Sequence, residues 1–242
     1  MATWIVHLRL AENLLSMIDG LDPTEFAIGN IAPDSGIPDE KWEKFDPPGY
    51  ILHFQNPNSN SWRSADLEFY RQHMNDLKWQ NDGDKRFSFL LGYFFHLLTD
   101  SLWDHEIGNP TQVKYAAEFE DDPDFVWEVK RDWYGLDFIY VRNHPESIFQ
   151  RLFLDCEYEK DYLDFLPVEG VQQRIAYIKE FYQREDEKVQ ALLERPYVYL
   201  SQGKMDSFVE ETTQRLYQIF EYLWIQKKKI PDSQTMLDVP FG

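Results

Sequence analysis

His96 and Asp100 are the two residues whose types and spacing most clearly suggest chemistry. They stand four residues apart in the run Phe94-Phe95-His96-Leu97-Leu98-Thr99-Asp100, which is otherwise almost entirely apolar. Residues i and i+4 of a helix lie on one face, one turn apart, which is the spacing that two ligands of one metal ion need. A buried carboxylate is costly unless it is paired or coordinated. The pair predicts a metal site or a hydrogen-bonded core pair, and these two residues alone do not favour either.

Three more residues could supply ligands, although each has a simpler explanation. His7 falls on the apolar stripe of the first predicted helix, where a single histidine is more often a satisfied core residue. Asp34 lies in a Pro-Asp-Ser-Gly turn, where aspartate is common for turn geometry alone. His53 stands between Leu52 and Phe54 in an irregular segment. None of the three predicts a site by itself.

His105 and Asp104 compete for one further position near Asp100. On a continuous helix His105 would point about 140° away from Asp100, so it joins the same cluster only if the helix ends or bends first. Gly108-Asn109-Pro110 marks an end close by. Asp104 follows Asp100 by four residues and is better aligned. Both remain candidates.

Glu128 and Asp132 form a second i, i+4 pair, this time of two acids. Like charges at this spacing destabilise a helix, so a cation between them would relieve the repulsion. The alternative is neutralisation by the neighbouring Lys130 and Arg131 together with solvent exposure. The apolar residues around the pair indicate that this helix is largely buried.

Other chemistries find less support in the sequence. There is no glycine-rich phosphate loop and no Gly-x-Ser-x-Gly elbow. Cys156 is the one cysteine, which excludes an intrachain disulfide and a cysteine-rich zinc site. His73 and His144 have polar neighbours and are predicted to lie on the surface. A donor set of His, Asp and Glu suits a catalytic zinc site that leaves positions open for water.

The elements that must position these residues are predicted to be helices, since apolar residues recur with helical period and no strand alternation persists. The run around His96 is apolar on nearly all sides, which is typical of a central helix. Residues 19–62 are rich in Gly, Pro, Asp and Asn and are predicted to be an ordered irregular segment with one short helix. The helices are predicted at residues 3–18, 23–30, 63–79, 84–106, 123–141, 145–157, 170–195 and 204–228.

Composition limits the partners and the location. The 24 basic and 43 acidic residues give a formal charge of −19, which disfavours long nucleic acids and anionic membranes. The sequence shows no secretory signal and no apolar run long enough to span a membrane, so we expect a cytoplasmic protein without a transmembrane segment. We predict one α-helical domain over residues 1–242, with the metal site in 1–140 and a loosely attached tail at 231–242.

Taken in order, these residues resemble the zinc-dependent phospholipase C family, whose fold is related to that of the single-strand-specific fungal nucleases. The family has an early His in its first helix, an Asp in a Gly-x-x-x-Pro-Asp segment, a His some twenty residues later, and a Gly-Tyr-x-x-His-x-x-x-Asp run on a central helix. A further His follows, and a His/Glu pair four apart closes the cluster. The matching residues are His7, Gly29 to Asp34, His53, Gly92 to Asp100, His105, and the pair Glu128 and Asp132.

The resemblance implies an all-α, multi-helix domain of the phospholipase C and nuclease type, with the metal cluster in a cleft. It implies two or three zinc ions, with manganese or magnesium as alternatives, and a small phosphoester or phospholipid as substrate. Asp34 would be a ligand or the general base. The implied metal ligands are His7, Asp34, His53, His96, Asp100, His105, Glu128 and Asp132.

Two departures from the family pattern bear on activity. The His of the closing pair is replaced by an acid. The secreted phospholipases also use their mature N-terminal amino group and a Trp there as ligands, and because this sequence shows no signal peptide to be removed, we expect that part of the site to be incomplete or built differently. The resemblance makes a metal-dependent hydrolase of phosphate esters the first hypothesis, and the two departures leave a second one open. The alternative is a catalytically inactive metal-binding helical protein with a structural or binding role, and the oligomeric state is left open.

Overall fold

Helices dominate the fold, as the sequence predicts. A computed structural model describes residues 1–41, 43–58 and 63–240, and within them the architecture is all-α. A short antiparallel hairpin pairs β1 (Ile37–Pro38) with β2 (Phe45–Asp46). The helices are α1 (Trp4–Leu15), α2 (Pro23–Gly29), α3 (Gly49–Leu52), α4 (Asp66–His73), α5 (Lys85–Trp103), α6 (Asn109–Lys114), α7 (Ala116–Asp121), α8 (Phe125–Asn143), α9 (Ile148–Arg151), α10 (Val168–Tyr182), α11 (Glu187–Glu194) and α12 (Gln202–Phe220).

Helix α5 runs through the centre of the core. Asp84 caps its start by accepting a hydrogen bond from the Phe87 backbone N–H at 2.9 Å. Every residue from Phe87 to Ser101 is buried, so the helix is enclosed on all sides. Even so, no helix in the described ranges is long and apolar enough to cross a membrane. The polar residues on α5 must therefore find their partners inside the protein.

Helices α2 and α5 approach each other closely because both carry glycine at the contact. A Cβ on Gly29 would collide with the carbonyl oxygen of Phe89, and a Cβ on Gly92 would collide with that of Phe26. This approach brings the residue after α2, Asn30, alongside α5. The two glycines thus set the distance between α5 and the segment that follows α2.

The irregular segment 19–62 is ordered where the structure describes it. It contains α2, a 3₁₀ turn at Ala32–Asp34, the hairpin and α3. The buried Tyr93 hydroxyl donates to the carbonyl of Leu52 at 2.5 Å, which fastens α3 to α5. Asn30 is fully buried and its side chain donates to the Phe26 carbonyl. These contacts hold the segment against the core.

Several predicted helix limits differ from those observed. The predicted helix at 170–195 is two helices, because Asp186 accepts a hydrogen bond from the Val189 N–H and starts α11 as a new N-cap. The predicted helix at 145–157 is α9 followed by a 3₁₀ turn, Phe153–Asp155.

The tail from residue 231, predicted to be loose, is fastened to the body as far as the structure describes it. Arg71 donates to the carbonyls of Pro231 and Ser233, and the Met236 N–H donates to Asp66. Met236 is fully buried. The prediction was wrong because the partners of this polar segment lie on α4, some 160 residues earlier in the chain.

Candidate metal centre

Five of the predicted ligands meet at one place in the core. His7 comes from α1, Asp34 from the turn after α2, His53 from the end of α3, and His96 and Asp100 from α5. Asp100 lies at the centre: its Oδ1 is 3.4 Å from His7 Nε2, and its Oδ2 is 3.4 Å from His96 Nε2 and 3.5 Å from His53 Nε2. We call these five residues the His/Asp cluster.

The orientation of two histidines is fixed by backbone carbonyls. His96 Nδ1 lies 2.8 Å from the Asn30 carbonyl oxygen, and His53 Nδ1 lies 2.9 Å from that of Gly49. A carbonyl only accepts, so in each ring Nδ1 carries the proton, as assigned from these contacts. The two Nε2 atoms then face each other at 3.3 Å. In neutral rings both carry lone pairs, so a proton or a cation must lie between them.

The distances around this point fit a metal site. His53 Nε2 is also 3.3 Å from Asp34 Oδ1, so four donor atoms are separated by 3.3–3.5 Å along the measured edges. Ligands at 2.0–2.1 Å in a tetrahedron stand about 3.3–3.4 Å apart. Two groups of described residues have ligand atoms close enough together to hold an ion: Asp34, His53 and His96 form one, and His7, His96 and Asp100 form the other.

His7 extends the cluster on the far side of Asp100. Its ring stacks on that of His96 with centroids 3.9 Å apart. Both ring nitrogens are buried and have no hydrogen-bond partner among the described residues. Burial and the neighbouring His96 lower the pKa of His7 to about 4, so the ring is neutral and offers a lone pair. A buried imidazole without a hydrogen-bond partner, 3.4 Å from a carboxylate oxygen, has the geometry of a candidate metal ligand.

The charges of the cluster reinforce one another. Burial opposes ionisation of Asp100, but the charge of the neighbouring His96 outweighs it and holds the pKa of Asp100 well below its usual value. Burial also opposes protonation of His96, and Asp100 outweighs it, so the pKa of His96 is raised. The pKa of Asp34 is lowered as well, because its contact with His53 and the nearby charge of His96 outweigh the effect of burial. Both aspartates are therefore anionic at neutral pH.

Asp34 and His53 connect the cluster to a cleft of about 840 Å³. The indole Nε1 of Trp4 donates to Asp34 Oδ2 at 2.8 Å and so fixes the carboxylate, leaving Oδ1 towards His53. The described lining of the cleft includes both of these cluster residues, whereas His7, His96 and Asp100 lie behind them. Asp34 and His53 are therefore the cluster residues that a molecule in the cleft can contact.

His105 and Asp104 are not part of the groups that could hold an ion. After Trp103 the chain makes a π-helical turn, Asp104–Gly108, which leaves His105 exposed. Asp104 is buried, accepts a hydrogen bond from Asn109 at 3.0 Å, and has its pKa raised mainly by burial. The described groups with metal-ligating geometry contain neither residue.

The structure places Glu128 and Asp132 against another part of the chain. Arg195 pairs with both acids, its Nη2 2.5 Å from Glu128 Oε1 and its Nε 3.4 Å from Asp132 Oδ1. Asp132 Oδ2 also accepts from the backbone N–H groups of Tyr199 and Leu200. The cation that relieves their repulsion is an arginine some 60 residues away in sequence, which local spacing did not indicate.

The cleft also contains residues that the sequence did not single out as functional. Lys130 lies between Glu128 and Asp132 in sequence, so on a helix it points to the opposite side, and it lines the cleft. Helical period could have indicated this position. Arg174 of α10 lines the cleft too, but nothing in the local sequence marks it. His73, predicted to be a surface residue, is half-buried against Phe69.

Comparison with known proteins agrees with the geometry. The family model described as zinc dependent phospholipase C matches residues 6–217 of the chain. The matched part contains all five residues of the His/Asp cluster. No curated protein and no solved structure matches the chain.

Proposed function

The chain belongs to the zinc-dependent phospholipase C family, and we propose that it is a metal-dependent hydrolase of phosphate esters. The observation that carries the proposal is the contact between His53 and His96, whose Nε2 atoms face each other at 3.3 Å. The Nδ1 atom of each ring donates a hydrogen bond to a backbone carbonyl, so neither Nε2 carries a proton in the neutral ring. Asp34 lies 3.3 Å from His53 Nε2 and Asp100 lies 3.4 Å from His96 Nε2, so each imidazole has a carboxylate oxygen beside it as a further donor. This arrangement favours a bound cation over a plain hydrogen-bonded core.

We propose that Asp34, His53, His96 and Asp100 hold one zinc ion. Asp100 Oδ1, which also accepts a hydrogen bond from the Ala2 backbone N–H, and the ring of His7, whose nitrogens have no hydrogen-bond partner among the described residues, face a second position. When bound, such ions polarise phosphoryl oxygens and lower the pKa of a coordinated water. Asp100, which lies next to His7, His53 and His96, would help to hold both ions.

Asp34 is the candidate for a direct role in hydrolysis, either as a ligand or as the general base that accepts the proton of the attacking water. It lies at the cleft surface, and Trp4 holds its carboxylate in place through the indole N–H. His53 contacts the same carboxylate from the other side. These two contacts would keep Asp34 aimed at the substrate.

The proposed substrate is a small phosphoester or a phospholipid. Family membership favours a phosphodiester, and the aromatic side chains of Tyr50, Trp127 and Trp133 around the cleft suit an apolar portion of the ligand. The charge of −19 disfavours long nucleic acids and anionic lipid surfaces. Cytoplasmic location stays a prediction from the sequence.

The experiment is elemental analysis of the purified protein together with hydrolysis of a chromogenic phosphodiester in added zinc or manganese. Wild type would be compared with Asp34→Asn and with Asp132→Asn, a buried acid outside the cluster. We expect bound metal and turnover in wild type and in Asp132→Asn, and loss of turnover in Asp34→Asn. Bound metal without turnover by any protein would favour the alternative, a catalytically inactive metal-binding protein. No metal on reconstitution would overturn both.

A further inference from the structure

Two basic side chains in the cleft have no anionic partner among the described residues. Lys130 of α8 and Arg174 of α10 both line the cleft, and neither makes an ion pair or a hydrogen bond with a described residue. Arg174 is only 8% exposed, and its Nε is buried without a partner. In a chain with 43 acidic and 24 basic residues, a buried cation left without a carboxylate is unexpected.

The packing around Arg174 positions the guanidinium but does not satisfy its donors. Its central carbon lies 5.4 Å from the ring centre of Trp4 and 5.7 Å from that of Tyr177. Such cation–π contacts stabilise the positive charge of the guanidinium. They leave its N–H groups free to donate hydrogen bonds in the plane of the guanidinium. Lys130 is held in a similar way, 4.9 Å from the ring centre of Trp127.

Both cations stand close to the His/Asp cluster. Arg174 lies over the same indole whose Nε1 donates to Asp34, so one ring separates the guanidinium from the cluster. Burial lowers the pKa of Lys130, and the negative charges of Asp34 and Asp100 partly offset this shift. An anion in the cleft could therefore touch the cluster at one end and these cations at the other.

We propose that Lys130 and Arg174 form an anion-binding subsite for a second anionic group of the substrate, next to the phosphoryl group held at the cluster. The cleft then selects phosphoesters that carry an additional carboxylate or phosphate over those with a neutral or cationic group. Arginine binds such oxyanions through two parallel hydrogen bonds, and a desolvated cleft strengthens the contact. The inference rests on the proposed function for the position of the phosphoryl group.

The test measures binding rather than turnover. The probes are glycerol 3-phosphate and 3-phosphoglycerate, which share the phosphate and differ by a carboxylate in place of a hydroxymethyl group. Each would be titrated into zinc-loaded wild type, Lys130→Gln, Arg174→Gln and Arg174→Lys by calorimetry. Lys188→Gln, an exposed lysine on α11, is the matched control. Circular dichroism and thermal melting check that each variant is folded.

We expect 3-phosphoglycerate to bind wild type and Lys188→Gln at least about tenfold more tightly than glycerol 3-phosphate, the size of one charge-assisted contact. Lys130→Gln and Arg174→Gln should reduce this ratio towards one, with affinity for glycerol 3-phosphate nearly unchanged. Arg174→Lys should keep part of the preference for 3-phosphoglycerate over glycerol 3-phosphate. Should Arg174→Gln fail to fold, Lys130→Gln still decides the matter.

Equal affinities for the two probes in wild type would overturn the subsite, as would an undiminished ratio in folded Lys130→Gln and Arg174→Gln. These outcomes are separable from those for the proposed function. A preference for 3-phosphoglycerate without hydrolysis of any phosphoester would refute the hydrolase activity and support the subsite. Hydrolysis without such a preference would support the hydrolase activity and refute the subsite.

Discussion

Asp100→Asn should abolish the stabilisation of the protein by zinc. Asp100 contacts His7, His53 and His96 and so lies next to both proposed ion positions. The amide has the same shape but no negative charge, and its nitrogen would face an imidazole. We therefore expect neither ion to bind tightly to the variant.

The size of the effect follows from linkage. At free zinc one hundred times its dissociation constant, each site stabilises the folded state by about 2.7 kcal/mol. For a chain of 242 residues, the unfolding entropy is about 0.5 kcal/mol/K, so one ion raises Tm by about 5 °C and two raise it by about 10 °C. Asp100→Asn should shift by about 1 °C or less on adding zinc.

Differential scanning calorimetry of chelator-treated protein, with zinc supplied from a metal buffer, measures these shifts. The matched control is Asp132→Asn, since Asp132 is also buried and was also predicted to be a ligand, but it pairs with Arg195. The control should melt at a lower temperature than wild type and keep the full zinc-dependent shift. An unchanged shift in Asp100→Asn, or an equal loss in Asp132→Asn, would refute the placement of the ions.

Three further predictions concern the residues that support the cluster and the core. Trp4→Phe removes the N–H that holds Asp34, and zinc affinity should fall about 10- to 100-fold in a competition titration. Gly92→Ala places a Cβ against the α2 backbone and should cost about 1–3 kcal/mol or more in urea denaturation, whereas Gly203→Ala meets open space and should not destabilise. Burial raises the pKa of Asp66 from 3.8 to about 7. The unfolded chain ionises this group first, so it lowers stability progressively from about pH 4 to pH 7, by about 4 kcal/mol in total, and Asp66→Asn should remove that part of the pH dependence.

Each of these has an outcome that would contradict it. Zinc affinity unchanged in Trp4→Phe would mean that the indole does not orient the carboxylate. Equal stabilities of Gly92→Ala and Gly203→Ala would mean that the close approach of α2 and α5 is not required. Parallel stability–pH curves for wild type and Asp66→Asn would mean that Asp66 ionises normally in the folded protein.

The sequence predicted those parts of the site that depend on local spacing. His96 and Asp100 lie on one helix, where the period alone places both side chains on the same face. His7, Asp34 and His53 were single residues with ordinary explanations, and only their order along the chain favoured a common site. Their convergence depends on long-range contacts that no local pattern encodes.

Long-range packing also explains what the sequence did not predict. The approach of α2 to α5 requires glycine at Gly29 and Gly92, and it carries the Asn30 carbonyl to His96. Each glycine opens one of the motifs that carry the family resemblance, but neither motif by itself indicates that the two helices touch at these positions. Arg174 lies on α10, more than 160 residues after Trp4, and contacts the Trp4 ring at the cleft. The sequence of α10 has the pattern of an ordinary amphipathic helix with a polar outer face, so it does not indicate this contact.

Helix α8 bears on the number of ions. One side of it carries Glu128 and Asp132, both engaged by Arg195, and Asp132 also accepts two backbone N–H groups. If these acids held an ion, Arg195 would have to move away from the fully buried Asp132. Breaking such a buried ion pair costs several kcal/mol. The cleft side of the same helix presents Lys130, whose charge opposes another cation nearby. Both features favour two ions over three, so metal analysis of Glu128→Gln and Asp132→Asn should give the stoichiometry of wild type.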